Sequence, residues 1–123
     1  MPDLLTIALA QTNPIVGDVA DNADGIRASR ANARAAGADL VVLGELAIAG
    51  YPPEDLVLKP EFVRRTMEAA ERLVDVTADG GPAILFGSLH AEEGAVYNAM
   101  ILAEGGKLVA RRLKHELPNY GTF

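Results

Sequence analysis

The chain of 123 residues has no cysteine, which excludes disulfides, thiolate metal sites and a cysteine nucleophile among these residues. Half of the residues are hydrophobic and the formal net charge is −6 at pH 7, which excludes general disorder and disfavours nonspecific nucleic-acid binding. There is no membrane-length apolar stretch and no recognisable signal sequence, so the sequence predicts a cytoplasmic protein with no membrane or nucleic-acid partner.

The first part of the sequence predicts a strand, a helix and a second strand. Residues 4–10 form a near-continuous apolar run, which is typical of a strand buried on both faces. Residues 21–36 are rich in alanine and arginine and are followed by Gly37, a pattern that predicts a helix with small core residues and a C-terminal glycine cap. The short apolar run 39–43 predicts the next strand.

The rest of the chain predicts one more helix and three more strands. An apolar stripe with a 3.6-residue period starts at Pro60 and ends before Gly80, which predicts a second helix. Strands are predicted at 83–86, 95–103 and 108–113, the last two joined by a hairpin at the Gly-Gly pair. The order β-α-β-α-β-β-β predicts an α/β fold, one mixed β-sheet with two main helices.

One face of this sheet is expected to need a partner. Both helices follow strands and would lie on the same face, yet the runs 4–10 and 40–43 do not alternate between polar and apolar residues. A strand with two apolar faces must bury both of them. We therefore expect either that the chain is incomplete or that it forms a homo-oligomer through the second face.

Two charged residues directly follow predicted strands. Glu45 comes after the strand 39–43 and Lys114 after the strand 108–113, and functional groups cluster beyond the carboxyl ends of strands in open α/β sheets. Such a pair could serve as a general base and an oxyanion stabiliser, although exposed charges at strand ends are also common. The sequence has no phosphate-binding glycine motif and no set of metal ligands at suitable spacing, so we expect no metal and no cofactor in this chain.

Two segments resemble the active-site motifs of a known superfamily. GELAIAGYPPEDL (44–56) and RRLKHELPNYGTF (111–123) are similar to the first and second motifs of the nitrilase, or carbon–nitrogen hydrolase, superfamily. The YPPEDL and HELPNYG parts, together with the opening IALAQTNPIVGDVADN, resemble more narrowly the N-terminal glutamine amidotransferase domain of the glutamine-dependent NAD+ synthetase family. The resemblance covers essentially the whole chain, 1–123, in order and without large gaps.

The resemblance implies roles for four residues. Glu45 matches the general base and Lys114 the oxyanion-stabilising lysine of a Glu-Lys-Cys triad, while Gly44 stands where the family often has proline. Tyr120 matches a tyrosine of the glutamine pocket, and Tyr51 matches a residue with a supporting role near the glutamate. The implied fold is one part of a four-layer α-β-β-α sandwich.

The resemblance also implies what these residues lack. In the family, the cysteine lies further along the chain, followed by a synthetase domain that uses ATP and Mg2+ to amidate deamido-NAD+ with ammonia from glutamine. We therefore expect the 123-residue chain to be the N-terminal portion of such an enzyme and to be inactive alone. Two alternatives are a fragment of another nitrilase-superfamily amidase, acting on a different amide, and a non-catalytic module that associates through its open sheet face.

Overall fold

Two helices and five strands make up the described part of the chain, residues 4–114 of a computed structural model. Helix α1 spans Val19–Ala35 and helix α2 spans Pro60–Val76, and 3-10 helices lie at Glu54–Leu58 and Thr77–Asp79. The strands are β1 Ile7–Leu9, β2 Leu40–Val42, β3 Ala83–Glu92, β4 Ala95–Glu104 and β5 Lys107–Leu113. The predicted order of elements is confirmed.

The strands form a single sheet in which spatial order equals chain order. Strands β1, β2 and β3 are parallel neighbours, and β3, β4 and β5 continue the sheet as an antiparallel meander. The parallel pairs require crossover connections, which α1 and α2 supply. The mixed sheet of the predicted α/β fold is therefore present.

Strand β3 is longer than the sequence pattern predicts. The expected strand 83–86 ended at a Gly-Ser pair, but β3 runs through Gly87 to Glu92 and pairs with β4 over that length. The chain reverses instead at Glu93 and Gly94, both with positive φ, 51° and 79°. The predicted turn at Gly105 and Gly106 is confirmed. Paired positive φ values match the right-handed twist of the flanking strands.

The core lies between the two helices and one face of the sheet. Its largest fully buried side chains come from both helices, the strands and the loop after β2, and include Ile26, Leu73, Val41, Ile84, Phe86, Leu46 and Ile48. Within residues 4–114, no helix is long and apolar enough to cross a membrane.

A buried arginine ties α1 to the loop before β3. Arg30 donates from Nε to the carbonyl oxygen of Pro82 and makes two further bonds, of 3.0 and 2.7 Å, to the carboxylate of Asp79. Hydrogen bonds from Arg30 and from the backbone N–H of Gly81 lower the pKa of Asp79 well below its usual range, with the charge of Arg34 adding to the effect. Helix α1, whose core-facing residues are mostly small, is thus held against the rest of the fold by a polar contact that the amino-acid composition does not predict.

The opposite face of the sheet carries an apolar row that neither helix covers. The row, called the open face here, runs across all five strands through Leu9, Val42, Leu85, Leu102 and Ala110. Leu9 is 78% exposed. Within residues 4–114, strand β1 is therefore not covered on its second apolar face, which is the face that the sequence predicts to need a partner.

Candidate functional site

The segment that follows β2 forms a tight turn with a buried interior. We call residues 43–50 the Glu45 turn. Leu46 is fully buried with a φ of 52°, and its carbonyl oxygen accepts the N–H of Gly50 at 2.8 Å. Positive φ at a bulky residue is strained and persists only where the surroundings hold it. The adjacent Glu45 is thus presented by a rigid backbone.

Hydrogen bonds from α1 and from the loop before it also hold the Glu45 turn in place. The side-chain amide of Asn22, buried in α1, donates to the carbonyl oxygens of Ile15 and Ile48, and its Oδ1 accepts the Ile15 N–H, all at 2.8 Å. The backbone N–H of Gly17 also donates to the Ala49 carbonyl oxygen. These bonds lock the loop before α1 to the Glu45 turn.

Gly87 of β3 lies directly under the Glu45 turn. Its N–H donates to the carbonyl oxygen of Gly44 at 3.2 Å, and a Cβ at this position would lie 2.2 Å from the Leu46 nitrogen. Only glycine permits such a close approach of two backbones. The local sequence pattern had indicated the end of a strand at this residue. A glycine inside a strand pattern can equally mark a close backbone approach.

The structure brings Glu45 and Lys114 together. The Lys114 Nζ lies 3.7 Å from Glu45 Oε1, and the two side chains are 44% (Glu45) and 46% (Lys114) exposed. Lys114 directly follows β5, and its backbone N–H donates to the carbonyl oxygen of Asn98 at 2.9 Å. A carboxylate and an ammonium thus share one small region beyond two strand ends, as their positions in the sequence predict.

Asn98 of β4 completes this group and is not among the residues predicted from the sequence. Its Nδ2 donates to Glu45 Oε1, although the residue is only 2% exposed. The signal available in the sequence is weak, because it consists of one amide side chain within the otherwise apolar run AVYNAMILA.

These residues line a shallow cavity of about 360 Å³. Its walls come from the Glu45 turn, β4, β5 and the residue after β5, namely Glu45, Asn98, Ala99, Met100, Arg112, Leu113 and Lys114. Met100 and Arg112 are register partners that alternate with the core-facing Ile101. The cavity therefore opens on the side of the sheet away from the helices, where it holds one carboxylate and two cationic side chains.

Of the two predicted tyrosines, Tyr51 lies within the described residues 4–114. Tyr51 follows the Glu45 turn, precedes a cis bond to Pro52, and is 50% exposed. It is not among the residues that line the cavity. Tyr120 lies outside the described residues. The described part of the chain also contains no cluster of three histidine, aspartate or glutamate side chains that could hold a metal ion.

This chain has an α/β sheet with a glutamate and a lysine that come together after the ends of β2 and β5. It belongs to the carbon–nitrogen hydrolase family, which matches residues 6–123. Among curated relatives, the glutamine-dependent NAD(+) synthetase of Rhodobacter capsulatus is 45% identical over 123 residues, which is 100% of this chain and 22% of that protein. The chain thus spans about a fifth of the length of the curated relatives it matches.

Solved structures agree with this family and confirm the nitrilase-type α/β fold. A glutamine-dependent NAD+ synthetase from Acinetobacter baumannii, in complex with ADP, superposes with a TM-score of 0.84 at 34% identity, over 94% of this chain and 22% of that one. A variant amidase from Nesterenkonia sp. AN1 superposes with a TM-score of 0.83 at 26% identity, over 94% of this chain and 44% of the amidase chain. That amidase structure shows the acetamide moiety of fluoroacetamide covalently added at the active-site cysteine.

Proposed function

We propose that this chain supplies the glutamate and the lysine of a glutaminase site, as the N-terminal carbon–nitrogen hydrolase part of a glutamine-dependent NAD+ synthetase. The observation that carries the proposal is the shared cavity of Glu45 and Lys114, with Nζ and Oε1 3.7 Å apart. The 45% identity to the Rhodobacter capsulatus synthetase supports this function over that of a different amidase.

In the proposed reaction, Glu45 acts as a proton carrier and Lys114 as a fixed positive charge. Glu45 takes the proton of a cysteine thiol, and the thiolate attacks the side-chain amide carbon of glutamine. Lys114 stabilises the negative charge that develops on the amide oxygen. The carbon–nitrogen bond breaks, the nitrogen receives the proton from Glu45, and ammonia leaves. Water then attacks the thioester, which releases glutamate and restores the thiol.

The nucleophile must come from other residues, because these 123 contain no cysteine. We therefore propose that the chain alone is inactive. The ammonia would serve the amidation of deamido-NAD+, with ATP and Mg2+ bound by residues beyond this chain. Tyr120 is proposed to line the glutamine pocket and Tyr51 to have a supporting role near Glu45. A cytoplasmic location for this enzyme stays a prediction.

A hybrid enzyme tests these roles. In the hybrid, this chain replaces the matching 22% of the Rhodobacter capsulatus synthetase, and ammonia release from glutamine is measured. We expect Glu45→Gln to lower kcat by about 10²- to 10⁴-fold, as loss of a general base does. Lys114→Met should cost about 10²- to 10³-fold, as loss of an oxyanion donor does. Lys107→Met, at the exposed first residue of β5, serves as the matched control.

The hybrid also separates glutamine hydrolysis from the synthetase reaction. With free ammonia in place of glutamine, both site variants should still form NAD+ at the rate of the unmodified hybrid. An unmodified hybrid that uses ammonia but not glutamine would overturn the proposal. Hydrolysis of short aliphatic amides in preference to glutamine would instead favour the other amidase function.

A further inference from the structure

We infer that Asn98 is a positioning residue that holds the Glu45 carboxylate in its working orientation. This inference rests on the proposed glutaminase function and adds a residue to it. Asn98 Nδ2 and Lys114 Nζ both approach the same oxygen, Glu45 Oε1. Neither contact involves the second oxygen, Oε2, which we assign as the proton-accepting atom.

The two contacts to Oε1 differ in kind. Asn98 makes a hydrogen bond, whereas the 3.7 Å separation from Lys114 Nζ is longer than the roughly 2.7–3.2 Å of a normal hydrogen bond. Asn98 is therefore the group that orients the carboxylate. The ammonium of Lys114 keeps its own hydrogen-bond donors for an oxyanion. The neutral amide of Asn98 can orient the carboxylate without adding a charge to the site.

Asn98 also fixes the other half of the pair. Its carbonyl oxygen accepts the backbone N–H of Lys114 at 2.9 Å, one step beyond the pairing of Ala99 with Leu113. One residue of β4 thus holds the carboxylate through its side chain and the lysine backbone through its main chain. The distance between base and ammonium is set by a strand, which is more rigid than a loop.

Burial of Asn98 is difficult to explain by packing alone. The residue is 2% exposed in an apolar strand, and its register partner on β3 is the buried Leu89. An amide buried without a hydrogen bond is costly, and an apolar side chain of similar size would avoid that cost. The hydrogen bond to Glu45 supplies the compensation, which ties the identity of the residue to the site.

The hybrid enzyme described above tests the inference. Asn98→Asp keeps the size of the side chain but puts an acceptor where the donor was, and Asn98→Ala removes the group. We expect both to lower kcat for glutamine hydrolysis by about 10²-fold, the cost of a small misplacement of a catalytic group. KM for glutamine and NAD+ formation from free ammonia should not change. Ser88→Ala, which removes a buried hydroxyl from β3, is the matched control and should leave kcat unchanged.

Two results would overturn the positioning role while the proposed function stands. One is an active unmodified hybrid whose Asn98 variants keep their kcat. The other is an equal loss of glutamine-dependent and ammonia-dependent NAD+ formation, which would show that Asn98 only supports folding. An unmodified hybrid without glutaminase activity would instead refute the proposed function.

An NMR measurement on the 123-residue chain tests the contact without any catalysis. The Asn98 side-chain amide protons should shift and exchange faster with solvent in Glu45→Gln, and should be unaffected in Glu54→Gln. Identical spectra in Glu45→Gln and the unmodified chain would contradict the inference even if the hybrid variants lost activity.

Discussion

Gly87 and Gly44 are joined by a backbone hydrogen bond of 3.2 Å, and this bond places the Glu45 turn directly on strand β3. The missing side chain at Gly87 leaves the space that the Leu46 nitrogen and the Gly44 oxygen occupy. The position of the proposed base therefore depends on a residue that has no functional group.

Gly87→Ala should displace the Glu45 turn. The new methyl group would meet backbone atoms, which cannot rotate away as a side chain could, and overpacking of this kind costs about 1–3 kcal/mol. Denaturant unfolding of the chain should show that loss, and glutaminase activity of the hybrid should fall with it. In contrast, Gly25→Ala, in α1 where an added methyl group would meet no atom within 4 Å, should stabilise by about 0.4–1 kcal/mol. Equal stabilities of the two variants would refute the close-approach argument.

The Arg30–Asp79 contact should make the chain sensitive to acid. Because folding lowers the pKa of Asp79, its contribution to stability is present above the ordinary aspartate pKa of about 4 and is lost as the pH falls below it. Asp79→Asn should therefore unfold more easily at neutral pH and show a shallower loss of stability on acidification. Urea unfolding from about pH 7 to about pH 2 measures both effects.

A matched control for that experiment is Asp24→Asn. Asp24 pairs with Arg27 on the exposed side of α1, where an ion pair contributes little. The stability of the Asp24→Asn variant should equal that of the unmodified chain at every pH. A pH dependence in Asp79→Asn as steep as in the unmodified chain would show that another group causes the acid sensitivity.

Asn22→Ala should loosen the Glu45 turn from the side of α1. The substitution leaves the Ile48 carbonyl oxygen and the Ile15 N–H without their partner, whereas the Ile15 carbonyl oxygen keeps the N–H of Asp18. A buried group left unsatisfied costs about 1–3 kcal/mol. Chemical denaturation measures the loss. Asn32→Ala, on the exposed side of the same helix, should keep or slightly raise stability, because alanine has the higher helix propensity. A similar loss at Asn32 would contradict the role of the Asn22 hydrogen bonds.

The open face should make the isolated chain self-associate. Its apolar row across five strands has no cover within residues 4–114, and contiguous exposed apolar surface favours association. Sedimentation over a concentration series should show oligomers that Leu9→Lys weakens. Leu58→Lys, equally exposed at 77% but on a 3-10 helix, should have a smaller effect. A monomer at every concentration would contradict the predicted homo-oligomer.

The sequence was sufficient to predict the element order, the second hairpin and the neighbouring positions of Glu45 and Lys114. These features follow from local hydrophobic patterns and from the rule that functional residues cluster beyond the carboxyl ends of strands. It was not sufficient for Asn98, Gly87 or Arg30, since each acts through a partner distant in the chain. The sequence does not distinguish an asparagine in an apolar strand, or one arginine among several in a helix, because their contact partners are seen only in the tertiary structure.

Strand order that equals chain order has a consequence for how the molecule is made. A polypeptide emerging from the ribosome can extend the sheet one edge at a time, from β1 to β5, without inserting any strand between two already paired. Glu45 and Asn98 can therefore take their places before β5 docks, and Lys114 follows β5 in the chain. A nascent chain thus carries the Glu45 carboxylate 69 residues before the Lys114 ammonium, and the charged pair can form only after β5 has been made.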